Sequence, residues 1–272
     1  ATLRRLVVFA SVFHWSVGAF AATHALIIGI GQYPADSGIS NLFGTGKDIQ
    51  RATDMARAMG ASDASIVVLK DRQASKSEIL TELDRLQKAV KDGDRVFIYI
   101  SSHGTRYDIG NGQCREGILP FVNKGYTVND VLHQEDLQQR AIQISKIAEK
   151  VILMADTCHS GGVVASGVSA SGTRALSPTI DEIRPKTAVA IGKGCDFQEN
   201  SPASSRSLLT QIEKLGSHQE NFVQIAAAGP REASWDTTDG GLSTRAIAAC
   251  LLGDAIDLNR SGGVTLDEVR AC

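Results

Sequence analysis

Short, almost wholly apolar runs alternate along this chain with longer stretches whose apolar residues recur at helical spacing. The runs are 24–30 (HALIIGI), 65–69 (SIVVL), 95–101 (RVFIYIS), 150–155 (KVILMA) and 221–227 (NFVQIAA). Their lack of polar alternation predicts strands buried on both faces, which belong to parallel sheets. Between them, 47–59 carries Ile49, Ala52, Met55 and Met59 at helical spacing and stops at Gly60. Residues 75–90 place Ile79, Leu80, Leu83, Leu86 and Val90 on one stripe, and 244–256 is a further helix candidate. The alternation predicts an α/β fold, a mainly parallel central sheet with helical crossovers. Two stretches, 107–139 and 160–207, break the rhythm with glycine-rich segments and no clear periodicity. Both follow strand ends, where open α/β sheets bind their ligands. Chemistry is therefore expected after Ser102 and after Asp156.

Composition changes this picture little. Of 272 residues, 43% are hydrophobic and 21% charged, and the formal net charge is -2. That excludes collagen-like, coiled-coil and wholly disordered classes, and gives no electrostatic case for a nucleic-acid partner. Five cysteines (Cys114, Cys158, Cys195, Cys250, Cys272) are too few to build a disulfide scaffold, and the odd count leaves at least one outside any internal pair. Residues 1–21 read separately. Arg4 and Arg5, an apolar stretch over 6–18 and Ala19-Phe20-Ala21 form a signal-peptide pattern. The alternative is an amphipathic or buried first helix. The signal reading predicts a periplasmic or secreted protein, with no membrane association once the signal is removed. Residues 22–252 then form the main domain and 253–272 a terminal segment.

The strand-end residues are Ser101-Ser102-His103-Gly104 and Asp156-Thr157-Cys158-His159-Ser160-Gly161-Gly162. They put a histidine and a cysteine at one edge of one sheet. A cysteine peptidase needs a thiolate, a base within reach, and donors for the oxyanion. Gly104 would let a backbone N–H approach the scissile carbonyl, with the Cys158 N–H as second donor. A helix start beyond Gly161 would lower the thiol pKa. Taken singly, such a cysteine is usually a small buried hydrophobe and such a histidine structural. The paired placement, 55 residues apart, argues for chemistry.

With these motifs the sequence resembles the bacterial metacaspases (orthocaspases), caspase-like cysteine peptidases. The resemblance rests on 24–33 (HALIIGIGQY), 42–48 (LFGTGKD), 100–104 (ISSHG), 156–162 (DTCHSGG) and 240–244 (GGLST). Thr157 stands where the family usually has Ser, and Gly46-Lys47 departs from the usual Cys or Ala followed by Asn. The resemblance implies a caspase-like three-layer sandwich, with His103 as general base, Cys158 as nucleophile, and an acyl-enzyme. No third carboxylate is required; a backbone carbonyl orients His103. Asp48 and Asp156 would line the pocket for P1, the residue whose carbonyl is attacked. Asp156 lies two residues before Cys158, so an extended segment points both the same way. Paired carboxylates favour Arg bidentately and Lys as a point charge, which implies a protein or peptide substrate with basic P1. The competing readings are a non-catalytic caspase-like scaffold and another clan member, legumain-like or clostripain-like, with different P1 preference. Self-cleavage is expected in 160–207. Arg184 precedes Pro185, and Lys186 precedes an apolar run at 188–191, so the cut is placed between Arg174 and Ala175.

Residues 257–268 match a 12-residue calcium loop, with Asp257, Asn259, Ser261, Gly263, Thr265 and Glu268 as ligands and Gly262 at the sharp turn. Only Asp257 and Glu268 bring charge, so weak affinity is expected. No cofactor is required for the chemistry itself. The alternative is a glycine-rich turn that only resembles the loop. The acids of a metacaspase-type calcium site in the main domain have no clear place; Asp181 and Glu182 are candidates.

Overall fold

The computed structural model describes residues 21–108, 114–158, 183–186, 221–228 and 234–272. The signal-like stretch 1–20, Arg174, Asp181 and Glu182 lie outside them. In chain order the elements are β1 (Thr23–Gly29), α1 (Thr45–Ala58), β2 (Ile66–Lys70), α2 (Lys76–Ala89), β3 (Arg95–Ser101) and β4 (Gly104–Asp108). There follow β5 (Cys114–Ile118), β6 (Leu132–His133), α3 (Gln134–Ser145), β7 (Lys150–Asp156), β8 (Arg184–Pro185) and β9 (Phe222–Ala226). Last come β10 (Trp235–Asp236), α4 (Leu242–Ala249) and α5 (Leu266–Ala271). Ser75 starts α2 by accepting the Glu78 N–H at 3.2 Å, an N-cap bond.

Among the described residues, five strands form one parallel sheet in the order β2-β1-β3-β7-β9. Successive side chains alternate between its faces. Ala25, Ile27, Phe97, Tyr99 and Met154 pack with Ala52, Met55 and Ala56 of α1 and Ala248 of α4. Leu26, Ile28, Ile98, Ile100 and Leu153 pack with Ile79 and Leu83 of α2 and Leu137, Ala141 and Ile142 of α3. Helices thus cover both faces, which explains the unbroken apolar runs and gives the expected three-layer α/β sandwich.

The stretch 107–139 is more regular than its sequence suggests. A small antiparallel sheet, β4-β5-β6, leads directly into α3. The inward face of α3 includes Gln134, Gln138 and Ser145, all buried. Those polar residues obscure the helical period; Gln138 Nε2 donates to Gln224 Oε1 of β9 at 2.9 Å. At the other end, α4 is shorter than 244–256. It passes into a single wide turn, Cys250–Asp254, and a disulfide joins Cys250 to Cys272 across the terminal loop.

Candidate active site

β3 and β7 are neighbours in register, with Ser101 opposite Asp156. Their carboxyl ends therefore deliver His103 and Cys158 to the same edge of the sheet. Both are buried. A Cβ on residue 104 would collide with the Cys158 carbonyl oxygen, so only glycine lets these two chain ends approach. Cys158 keeps its thiol. Its Sγ accepts the Ser234 N–H at 3.1 Å and lies 3.4 Å from the Ser234 carbonyl, to which it can donate.

His103 is held from one side. Its Nε2 lies 2.8 Å from the Ser40 carbonyl oxygen, and the Tyr33 ring packs against it at 5.4 Å between centroids. Its Nδ1 is buried with no hydrogen-bond partner among the described residues. The imidazole pKa lies below its ordinary 6.5, first because burial disfavours the charged ring. Main-chain contacts with Ser40 and Lys186 oppose that shift, and the Lys186 ammonium adds to it. A neutral ring with one nitrogen fixed on a carbonyl can take a proton at the other.

Asp48 and Asp156 converge beside this pair, both wholly buried. Asp48 enters from the first turn of α1. Its Oδ2 accepts the Ser101 hydroxyl and its Oδ1 the Gly241 N–H, each at 2.8 Å. Asp156 accepts the hydroxyls of Ser234 and Thr244 at 2.5 Å each. Gly241 is the start of α4, and a Cβ there would strike Asp156 Oδ2. Between the acids lies the ammonium of Lys186, itself fully buried. It is 3.0 Å from Asp48 Oδ2, 3.3 Å from Asp156 Oδ2 and 2.9 Å from Ser101 Oγ. Burial alone would push this ammonium's pKa down. Asp156, Asp48 and then Asp236 outweigh it and hold it above the ordinary lysine value.

The main chain of Lys186 is bound as deliberately as its side chain. Its N–H donates to the Ser234 carbonyl at 2.9 Å, and its carbonyl accepts the Gly104 N–H at 3.0 Å. Upstream, β8 pairs antiparallel with β10, Pro185 opposite Trp235 and Arg184 opposite Asp236. An extended segment thus runs along the cleft with a basic side chain in the acidic pocket. Its carbonyl rests on the glycine expected to hold an oxyanion. Lys186, set aside in favour of Arg174 in the sequence, is the basic residue that lies between the two acids among the described residues.

Sequence reasoning also missed Ser40, Ser234 and Asp236. Ser40 acts through its carbonyl and leaves no side-chain signal. Among the described residues, the polar side chains of the 257–268 loop bond within the loop. Asp257 accepts the N–H groups of Ser261 and Gly262, and Ser261 Oγ donates to the Gly263 carbonyl. Glu268 accepts those of Leu258, Asn259 and Thr265, and the Thr265 hydroxyl.

A model of the Caspase domain family matches residues 22–270. Metacaspase-2 of Trypanosoma brucei brucei is 30% identical over 175 residues, covering 55% of this chain and 47% of that protein. Metacaspase-7 of Arabidopsis thaliana is 29% identical over 157 residues, covering 53% of this chain and 36% of that protein. The chain thus spans half or less of the length of these relatives. A solved structure of a Geobacter sulfurreducens protein superposes with a TM-score of 0.54 at 15% identity, covering 86% of this chain and 83% of that one, a likeness of fold alone.

Proposed function

We propose, from the premise that this chain belongs to the Caspase domain family, that it is a cysteine endopeptidase cutting peptide bonds after Lys or Arg. The observation that carries the reading is Lys186, with its ammonium between Asp48 and Asp156 and its carbonyl on the Gly104 N–H. A substrate P1 residue in the same register would present its carbonyl carbon to Cys158. The thiol proton passes to His103, and Sγ adds to the carbonyl. The oxyanion is held by the Gly104 N–H. Collapse expels the amine, which takes the proton from His103, and leaves a thioester. Water, deprotonated by His103, then hydrolyses it and frees Cys158. Each step uses Nδ1 of His103, while the Ser40 carbonyl at Nε2 keeps the ring in place.

The pocket favours a cation because its carboxylates are buried and fixed by neutral donors, so an unpaired state is costly. An acidic P1 side chain would be repelled. Export belongs to the same proposal, supported by the pattern at 1–21 and by the Cys250–Cys272 disulfide, a bond that persists in oxidising compartments. Calcium enters only as weak binding by the 257–268 loop, whose carboxylates would have to release their own main chain first. No step of the chemistry is routed through it.

The test is hydrolysis of fluorogenic peptides ending in Arg, Lys, Asn or Asp, with and without calcium, by wild type and Cys158→Ala. Cleavage after Arg and Lys that disappears in Cys158→Ala supports the reading. Preference for Asp or Asn, or activity that survives the substitution, refutes it.

A further inference from the structure

Beyond the acidic pocket, the cleft holds a second contact with the extended segment. The guanidinium carbon of Arg184 lies 4.2 Å from the centroid of the Phe43 ring. Arg184 is two residues before Lys186 and, in an extended strand, projects to the same side of the chain. Phe43 is 42% exposed, whereas Phe97, Phe121 and Phe222 are buried. We propose that Phe43 is the specificity-determining platform of a P3 subsite that selects arginine. This proposal rests on the reading of the cleft as a peptidase site and adds a second position of recognition to it.

The platform is built rather than incidental. Asp236 ties it to the substrate strand in two ways. Its main chain lies opposite Arg184 in the β8–β10 pair. Its buried carboxylate accepts the N–H groups of Phe43, at 2.6 Å, and Gly44, at 3.2 Å. One residue thus sets both the register of P3 and the position of the ring beneath it. Pairing with β10 is a main-chain interaction, so another extended peptide can adopt the same register while its side chains are read separately. A ring face attracts a cation, and the planar guanidinium stacks on it better than an ammonium does.

The experiment uses the full chain and three peptides, Ile-X-Pro-Lys carrying a fluorogenic leaving group, with X as Arg, citrulline or Ala. Citrulline keeps the planar shape without the charge. Wild type should prefer Arg over Ala by about two- to fivefold in kcat/KM, the range of an exposed cation–π contact, with citrulline between them. In Phe43→Ala the Arg-to-Ala ratio should fall to near one, and in Phe43→Tyr it should persist. Each ratio compares two substrates on one protein, so partial misfolding of a variant cancels. Equal rates for Arg and Ala on wild type overturn the proposal, as does a ratio unchanged in Phe43→Ala. If none of the three is cleaved, and Arg- and Lys-ending peptides of other sequence are not cleaved either, the peptidase reading itself has failed.

Discussion

Two regions of this protein gather oxygen ligands, and they do so in opposite ways. The pocket around Asp48 and Asp156 draws its parts from α1, β3, β7 and α4, residues far apart in sequence. Its donors fix the carboxylates yet leave Oδ2 of each facing the Lys186 ammonium. The 257–268 loop takes all its parts from one short stretch, and its carboxylates turn back on local N–H groups. A site built by the fold can fix its charge with distant donors and still turn it toward a separate side chain; a site built by a loop spends that charge on its own shape.

The largest effect should come from Cys158, the proposed nucleophile beside the first region. Cys158→Ala is expected to lower kcat/KM by at least about a thousandfold, and adding His103→Ala should cost little more, since the two act as a unit. In wild type kcat/KM should hold down to the ordinary histidine range and fall only below about pH 6.5, because burial depresses the His103 pKa and the neutral ring is the base. An acid limb at higher pH would show that another group controls the rate.

Lys186→Gln comes next. It leaves two buried carboxylates without their cation, which typically costs about 3–5 kcal/mol. At about 2–4 °C per kcal/mol for a protein of this size, the unfolding midpoint should drop by roughly 10 °C and recover in Lys186→Arg. Any self-processing should release a fragment beginning at Thr187 and be absent from Cys158→Ala. Mass spectrometry that finds Ala175 instead would break the link between pocket and occupant.

The smallest effect belongs to the loop. Glu268→Gln should leave peptide hydrolysis at neutral pH within about twofold, since Glu268 bonds only within its loop. Its carboxyl pKa is held down at about 2, chiefly by the Thr265 N–H. An acid depressed in the folded state stabilises it above the unfolded value, about 4.3, and that contribution disappears as pH falls through about 2. Thermal melts across this window should therefore show an acid loss in wild type that is reduced in Glu268→Gln. Identical pH profiles would contradict the role given to these bonds.

The sheet was legible because strands buried on both faces leave unbroken apolar runs, as at 24–30 and 95–101. α3 was not, because its inward glutamines and Ser145 are polar. That His103, Cys158 and Asp156 meet at one sheet edge was legible because they stand within two residues of strand ends. The place of Lys186 between the two acids was not legible. The apolar residues after it suggested burial in regular structure, whereas its own burial comes from carboxylates more than 25 residues away in sequence. No local pattern reports such a partner. Asp236 escaped notice for the same reason, its bonds to Phe43 and Gly44 spanning more than 190 residues.

The account stands on the acid pair reading a P1 cation, and one ratio tests that directly. It compares kcat/KM for peptides differing only in P1, lysine against norleucine, which keeps the four-carbon chain and lacks the ammonium, on wild type and Asp156→Asn. A buried charge pair of this kind is worth about 2–5 kcal/mol, so wild type should favour lysine by at least about thirtyfold. Asp156→Asn should cut that ratio at least tenfold while norleucine turnover changes much less. Equal turnover of the two peptides by wild type, or a ratio that survives in Asp156→Asn, would contradict it.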